Sequence, residues 1–548
     1  RDLTNYNAES VKADWGLYYR PIENNSLELS YVGKVGTGST IYQGTNRYNI
    51  ANFFQEQHKL EIRNDNFFLR GYVVADKAGD SYDMVFTGIQ INRAWKSDEQ
   101  WFGEYINTYV GATFGGATEA EAHALARAQA ESGRFLPGTP QFEAAFNRSV
   151  NDPNLSTGSK FQDASKYYHA DANYNFSHLI DFAEIQVGGS YRRYSLNSSG
   201  TIYTDYDGSI DYSEFGIYSQ IQKELQLNET MDLKLTGSVR YDKSEFFDGF
   251  ISPRFSAGLT VNKDHNIRAS VQTGFRNPTT QDLFIGLDAG RAILIGAAPD
   301  NLERYTRNFP VSQEAQNLLG QPSSVTQSGV DAYTNSYQAG SVLAFAESGN
   351  PADLLVGNSE LVKPEKVTSM EVGYRGKINK IIIDFSAYYN QYKDFISQEA
   401  VISPFYGTVD GDLDGAVDTD LLAFAALANG DYQVYSNYTN SKVDVSSYGA
   451  SIGVSTKVFG NFDLSGNYTW AKQDFDEQAN PGFVTNFNTP EHKFKASFGN
   501  TDLFKNFGFN IAWRFSDDYY WEATFGNGVV PEFHTLDAQI NYRIPKLK

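Results

Sequence analysis

Along nearly the whole chain, segments of about ten residues alternate apolar with polar. Residues 230–242 show the pattern best. Leu233, Leu235, Gly237, Val239 and Tyr241 share one parity, and Asp232, Lys234, Thr236, Ser238 and Arg240 share the other. Successive strand side chains point to opposite faces, so such a segment has one apolar face and one wet face. The same division recurs over 183–192, 267–276, 381–390, 462–470 and 507–516. Aromatics stand at the ends of several apolar faces, including Tyr241, Phe275, Tyr389, Trp470, Phe507 and Phe515. Two aromatic girdles around an aliphatic belt are the signature of an outer-membrane barrel wall.

The connections fall into two classes. Short ones carry turn residues, as at Asn64-Asp65-Asn66, Asn228-Glu229, Asn379-Lys380, Phe459-Gly460-Asn461 and Lys505-Asn506. Long ones span 37–52, 111–160, 195–212, 279–363, 397–431, 474–486 and 518–532. Short turns on one side and long loops on the other match a barrel with periplasmic turns and extracellular loops. The fold class expected is therefore all-β, a large transmembrane antiparallel β-barrel whose long loops carry short helices.

We count about nineteen strands, with 84–95 and 100–110 as a pair turning at Lys96-Ser97-Asp98. The first strand, near 10–20, and the last, 533–545, both run toward the short-turn side. An even-numbered barrel with both ends at the periplasm then needs one strand before Arg1 and two after Lys548, about 22 in all. Within the loops, Thr118 followed by Glu121 has capping-box spacing, so 118–133 predicts a helix that Gly133 can end. Thr139-Pro140 predicts a second helix over 140–149.

Composition narrows the picture. At 548 residues with no Pro-rich, Gly/Ser-rich or single-charge linker, the chain reads as one large domain. Aromatics make up 15%, with 36 Tyr and 39 Phe, and Tyr and Trp favour membrane–water interfaces. Mean hydropathy is −0.45 and no apolar run reaches the length of a membrane-spanning helix, so a barrel is the remaining way to cross a bilayer. The net charge of −21 argues against nucleic acid as a partner. The absence of Cys excludes disulfides and thiolate metal sites. Without an initiating Met or signal peptide, Arg1 is expected not to be the natural start.

Two stretches resemble TonB-dependent outer-membrane receptors. Residues 357–377, Gly-Asn-Ser-Glu-Leu-Val-Lys-Pro-Glu-Lys-Val-Thr-Ser-Met-Glu-Val-Gly-Tyr-Arg-Gly-Lys, are similar to a family segment of the form N-P-x-L-K-P-E followed by E-x-G-Y. Residues 383–396 are similar to the next family strand, and 274–284 resemble the strand-to-loop edge before it. Ser359 stands where the family has Pro, and Val362 is an insertion. The Lys363-Pro364-Glu365 version is unlike the Trp-containing one of the glycan-importer subtype. In style the chain resembles receptors of the Bacteroidetes.

The resemblance implies a barrel of about 22 strands with an N-terminal plug. That plug and the TonB-contacting segment are expected before residue 1. It also implies active import of a scarce nutrient (siderophore, oligosaccharide or peptide), powered through TonB, with no covalent chemistry and hence no enzyme. Expected partners are the lipid bilayer, TonB, the substrate and a surface lipoprotein held by the long loops. The location implied is the Gram-negative outer membrane. Two other readings stay open: a passive porin, and a barrel subunit of a larger surface complex.

Candidate chemistry is sparse. Residues 410–420 read Asp-Gly-Asp-Leu-Asp-Gly-Ala-Val-Asp-Thr-Asp, and the D-x-D-x-D-G opening matches a calcium loop. Asp410, Asp412, Asp414 and Asp418 are the candidate ligands, but Leu421 stands where a bidentate Glu is expected. The rival is a solvated acidic turn. No cofactor beyond this structural calcium is implied. The seven His show no metal-protease spacing, and no nucleophile elbow or phosphate-cradling Gly loop occurs. Inward arginines, namely Arg192, Arg240, Arg268, Arg276 and Arg514, are read as partners of inward acids such as Glu184, Asp232 and Asp384, or of a plug. Arg276 and the loop aromatics Tyr42, Phe405, Tyr406, Tyr519, Tyr520 and Trp521 are the candidates for substrate contact, the rings by stacking. Loop packing and interface anchoring are the competing roles.

Overall fold

The computed structural model describes all residues except 1, 25, 45, 410–418, 477–484, 486, 524–525 and 545–548. One sheet of eighteen strands dominates it. One of these, Tyr82–Asp83, is a two-residue strand pairing with the end of Arg47–Arg63. The other seventeen form a meander in which each strand pairs antiparallel with the next. It runs from Glu9–Tyr19 to Phe533–Tyr542.

The register carries the apolar parity from strand to strand. Phe255 faces Val271, Val271 faces Met370, and Met370 faces Tyr389. Val372, Ile452, Ile511 and Leu536 on the same outward face are all more than 40% exposed. Exposed apolar surface of that extent marks a wall facing lipid. Outward rings cluster at two levels. Phe462, Phe498 and Phe509 pack near the short-turn end, with Phe462–Phe498 stacked at 5.2 Å. Tyr389, Tyr448 and Trp470 pack near the long-loop end, at 6.4 and 5.6 Å. Among the described residues no helix is long and apolar enough to cross a membrane, and the crossing is by strands.

The short turns form for local reasons. Asn262, Asn379 and Asn506 adopt positive φ, which Asn tolerates better than other non-Gly residues. Asn64 Oδ1 accepts from the backbone N–H groups of Asn66 and Phe67, at 2.9 and 2.7 Å.

Two sequence expectations are corrected. Residues 84–95 and 100–110 are not a strand pair but belong to helices α1 (Met84–Trp95) and α2 (Asp98–Phe114), so the wall has seventeen strands here rather than about nineteen. Asp83 caps α1 by accepting from Val85 and Phe86 N–H, and Ser97 caps α2. The supposed turn at Lys96-Ser97-Asp98 is a helix start. The stretch 37–52 is not a long loop: strands run to Gln43 and resume at Arg47. The two helices expected from the sequence do form. They are α3 (Glu119–Ala130), with the Thr118/Glu121 capping box, and α4 (Pro140–Asn151), capped by Thr139 with Pro at its start.

Loops 279–363 and 397–431 are not separate. They build one subdomain around a five-stranded sheet ordered Gly286–Asp288, Ile293–Ile295, Tyr432–Asn440, Ile396–Pro404 and Tyr337–Gln338. Its core contains Leu283, Phe284, Ile295, Tyr305, Tyr333, Val401 and Tyr435. Two of its polar side chains are linked: Tyr435 donates to Gln327 Oε1 at 3.0 Å, and Gln327 Nε2 donates to the Pro404 carbonyl at 2.8 Å.

Candidate functional site

The inward parity converges on a cavity of about 880 Å³ below the loop subdomain. It is built by the long-loop halves of strands between Phe67–Lys77 and His265–Arg276, continuing into Asn277–Thr280 at the root of the subdomain. Five cations line it, namely Arg70, Arg192, Arg240, Lys243 and Arg276, against three carboxylates, Asp171, Glu214 and Asp242. In a chain of net charge −21 this is a locally positive pocket.

Most of these charges are held in place. Arg70 Nε donates to Asp171 Oδ1 at 2.7 Å. Arg240 pairs with Asp242 at 2.6 Å, donates to Ser190 Oγ at 3.0 Å, and lies 5.8 Å from the centre of the Tyr218 ring. Arg276 pairs with Glu365 at 2.8 Å. Asn277 Nδ2 donates to Glu214 at 2.8 Å. Lys243 donates to the Phe247 carbonyl at 2.7 Å. Arg192 stands opposite Glu214 across neighbouring strands. Tyr194 and Tyr212 stack at 4.6 Å, giving the cavity an aromatic wall. The arrangement can bind a solute by charge-assisted hydrogen bonds and by ring contact.

Of the residues selected from the sequence for substrate contact, Arg276 alone lines this cavity. Arg192 and Arg240, read as inward, also line it. Arg268 faces Glu371 and Arg514 faces Asp537, at 3.7 and 3.5 Å, while Asp384 pairs with Arg375 at 3.8 Å. Tyr42 is exposed near the end of its strand and stacks on Tyr48 at 5.9 Å. Phe405 and Tyr406 do not fit the expected stacking role, because both are buried. Phe405 stacks on Phe309 at 5.0 Å, and Tyr406 donates to Asp431 Oδ2 at 2.8 Å. Burial and that carboxylate push the Tyr406 hydroxyl up to about 12. Tyr519, Tyr520 and Trp521 lie on the hairpin Tyr519–Ala523 with Gly526–Val530, where Tyr520 is exposed. None of these rings lines the cavity that holds Arg276. Asp410, Asp412, Asp414 and Asp418 lie outside the described residues. Among the described residues no group of three or more His, Asp or Glu could hold a metal ion.

The sequence reading missed Arg70, Asp171, Glu214 and Asp242. Alternation carried through 67–77, 166–175, 210–228 and 231–244 places them on the inward face. What alternation lacks is the register that brings them together.

The model of the TonB dependent receptor-like β-barrel family matches residues 2–548, and the chain belongs to that family. Its fold is that of solved receptors. The FrpB iron transporter from Neisseria meningitidis superposes with a TM-score of 0.51 at 11% identity, covering 98% of this chain and 65% of that one. A variant of the ferric enterobactin receptor PfeA from Pseudomonas aeruginosa gives 0.53 at 13% identity, covering 98% and 62%. In sequence, the vitamin B12 transporter BtuB from Vibrio vulnificus is 30% identical over 101 residues, 18% of this chain and 16% of that protein. The chain thus spans less than two thirds of the length of these relatives.

Proposed function

We propose that the chain is the wall of an outer-membrane transporter that imports a scarce nutrient, driven by TonB. Membership in the receptor family and the lipid-facing belt support this reading. The observation that carries the solute-binding part is the cavity, lined by five cations and a tyrosine stack. A small solute bearing anionic groups fits this lining better than a neutral glycan does. Iron, ferric enterobactin and vitamin B12 are what the relatives are named for, and a metal chelate is the first candidate here. Growth of a deletion strain on defined iron, glycan or peptide sources tests it. A defect confined to a chelated metal source supports the reading, and a defect confined to a neutral glycan contradicts it.

A second reading, the barrel as one subunit of a surface complex with a lipoprotein, is favoured by one observation. Helix α2 exposes Phe102, Ile106, Val110 and Phe114 at four-residue spacing, by 57, 56, 43 and 89%. Purification from native membranes, compared between the wild type and Phe102→Asp/Ile106→Asp, tests it. A lipoprotein lost only from the variant supports it, and identical preparations remove it.

A further inference from the structure

A second concavity lies outside the inward face of the wall. It lies on the outward, lipid-facing side of six consecutive wall strands, from Glu9–Tyr19 to Glu184–Leu196, and has a volume of about 1040 Å³. The register explains it. One row of outward residues crosses these strands as Leu17, Tyr31, Leu60, Gly71, Ala170 and Tyr191, each opposite the next. The two smallest side chains stand side by side in the middle of the row. Bulky neighbours on both sides turn that dip into a groove, and its exposed surface is overwhelmingly apolar.

A hydrogen-bonded polar pair stands in this lining. Tyr31 Oη lies 2.8 Å from His58 Nδ1, and the two rings stack. Both residues line the groove. Tyr31 is three residues in from Glu28, at the short-turn end of its strand. Leu29, Ile62 and Leu69 line the groove at that same end.

We propose that this groove is a binding site for one phospholipid of the leaflet on the short-turn side. An acyl chain lies over Gly71 and Ala170, and the ester region of the lipid meets the Tyr31–His58 pair. Three considerations select this occupant. The groove is continuous with a surface that already faces the bilayer, so acyl chains are the material at hand. An unfilled groove forfeits dispersion contacts along its whole lining, which a chain restores. The hydrogen-bonding pair stands near the short-turn edge of the belt, where hydrocarbon gives way to polar lipid groups and Tyr is favoured.

The test is native mass spectrometry with lipid extraction on the full chain, purified in mild detergent and confirmed folded by its heat-modifiable gel mobility. The wild type is expected to retain one phospholipid per molecule. Gly71→Trp and Ala170→Trp each fill the dip from outside and are expected to lose it. His58→Phe is expected to lower retention at least threefold while leaving the outward wall intact, which covers the case in which a Trp variant does not fold. Ala387→Trp, outward but on a distant strand, is expected to retain the lipid. Retention unchanged in the groove variants, equal loss in Ala387→Trp, a lipopolysaccharide in place of the phospholipid, or a second copy of the chain seated there would each overturn the assignment.

Discussion

Arg276 and Glu365 close the base of the loop subdomain. The guanidinium of the last residue of one wall strand lies 2.8 Å from the carboxylate of the first residue of the next, across 89 residues of sequence. The same carboxylate accepts from Ile396 N–H at 3.2 Å, so Glu365 ties together the roots of both long loops. Its side chain is nearly buried, whereas that of Arg276 is half exposed. Arg276→Ala therefore leaves a mostly buried carboxylate short of its cation. A loss of about 1–2 kcal/mol in subdomain stability is expected, below the figure for a fully buried pair because Arg276 meets solvent. Limited proteolysis of the purified chain reads it as faster cleavage within 279–363, and unchanged cleavage refutes it.

Asp431 is a second clamp. Its carboxylate accepts from Ser312 N–H, Ser312 Oγ and Tyr406 Oη, at 2.7, 2.8 and 2.8 Å. Asp431→Ala strands three donors and is expected to cost about 2–4 kcal/mol locally, with Asp431→Asn keeping part of it. Hydrogen exchange at 311–316 is the readout. Equal protection in the wild type and Asp431→Ala would show that the packing of Phe309 and Phe405 alone holds the loop.

Glu360 gives a pH-dependent contact. Lys442 and Lys363 donate to it at 2.8 and 3.1 Å and hold its carboxyl down at about 2. A depressed carboxyl contributes stability above its unfolded value and loses it as pH falls through its folded value. The contact between the two loops is thus expected intact at pH 5 and weakened progressively from about pH 4.5 toward about pH 2. The group is exposed, so the contribution is roughly 0.5 kcal/mol or less and falls with salt. Lys442→Ala should narrow the difference in hydrogen exchange around Glu360 between pH 5 and pH 3. A difference of the same size in both proteins would show that other carboxyls cause it.

In the cavity, Arg192→Ala is expected to raise the half-saturating concentration for uptake about tenfold, about 1.4 kcal/mol, with Arg192→Lys in between. The effect should shrink as salt rises. A tenfold fall in maximal uptake at unchanged half-saturation would place Arg192 outside the solute contact.

Calcium binding at Asp410, Asp412, Asp414 and Asp418 stands as an expectation from spacing alone. Calorimetry with calcium is expected to give heat in the wild type and none in Asp412→Ala/Asp414→Ala. Identical heats would leave a solvated acidic turn.

The wall was legible because alternation and turn chemistry are local. Leu233 to Tyr241 and Asn379-Lys380 need no distant partner to be read. Helices α1 and α2 were misread because Val85, Phe86, Ile89 and Ile91, then Trp101, Tyr105, Ile106 and Val110, are residues that strands favour. The available signal was capping: Ser97 followed by Asp98 and Glu99 opens a helix. The cavity was half legible. Parity found Arg192, Arg240 and Arg276, but the meeting of Arg70 with Asp171 across 101 residues depends on register. Phe405 and Tyr406 could not be placed, because an aromatic that packs a loop core and one that stacks on a ligand look alike in sequence.

The central claim is that import through this wall is energised by TonB. It is tested most directly by growth on the limiting nutrient of three otherwise isogenic strains: wild type, receptor deletion and TonB deletion. The same defect is expected in both deletions on one source, restored in the receptor deletion by the wild-type gene. A receptor-deletion defect with normal growth of the TonB deletion on that source would make the barrel a passive channel and contradict it.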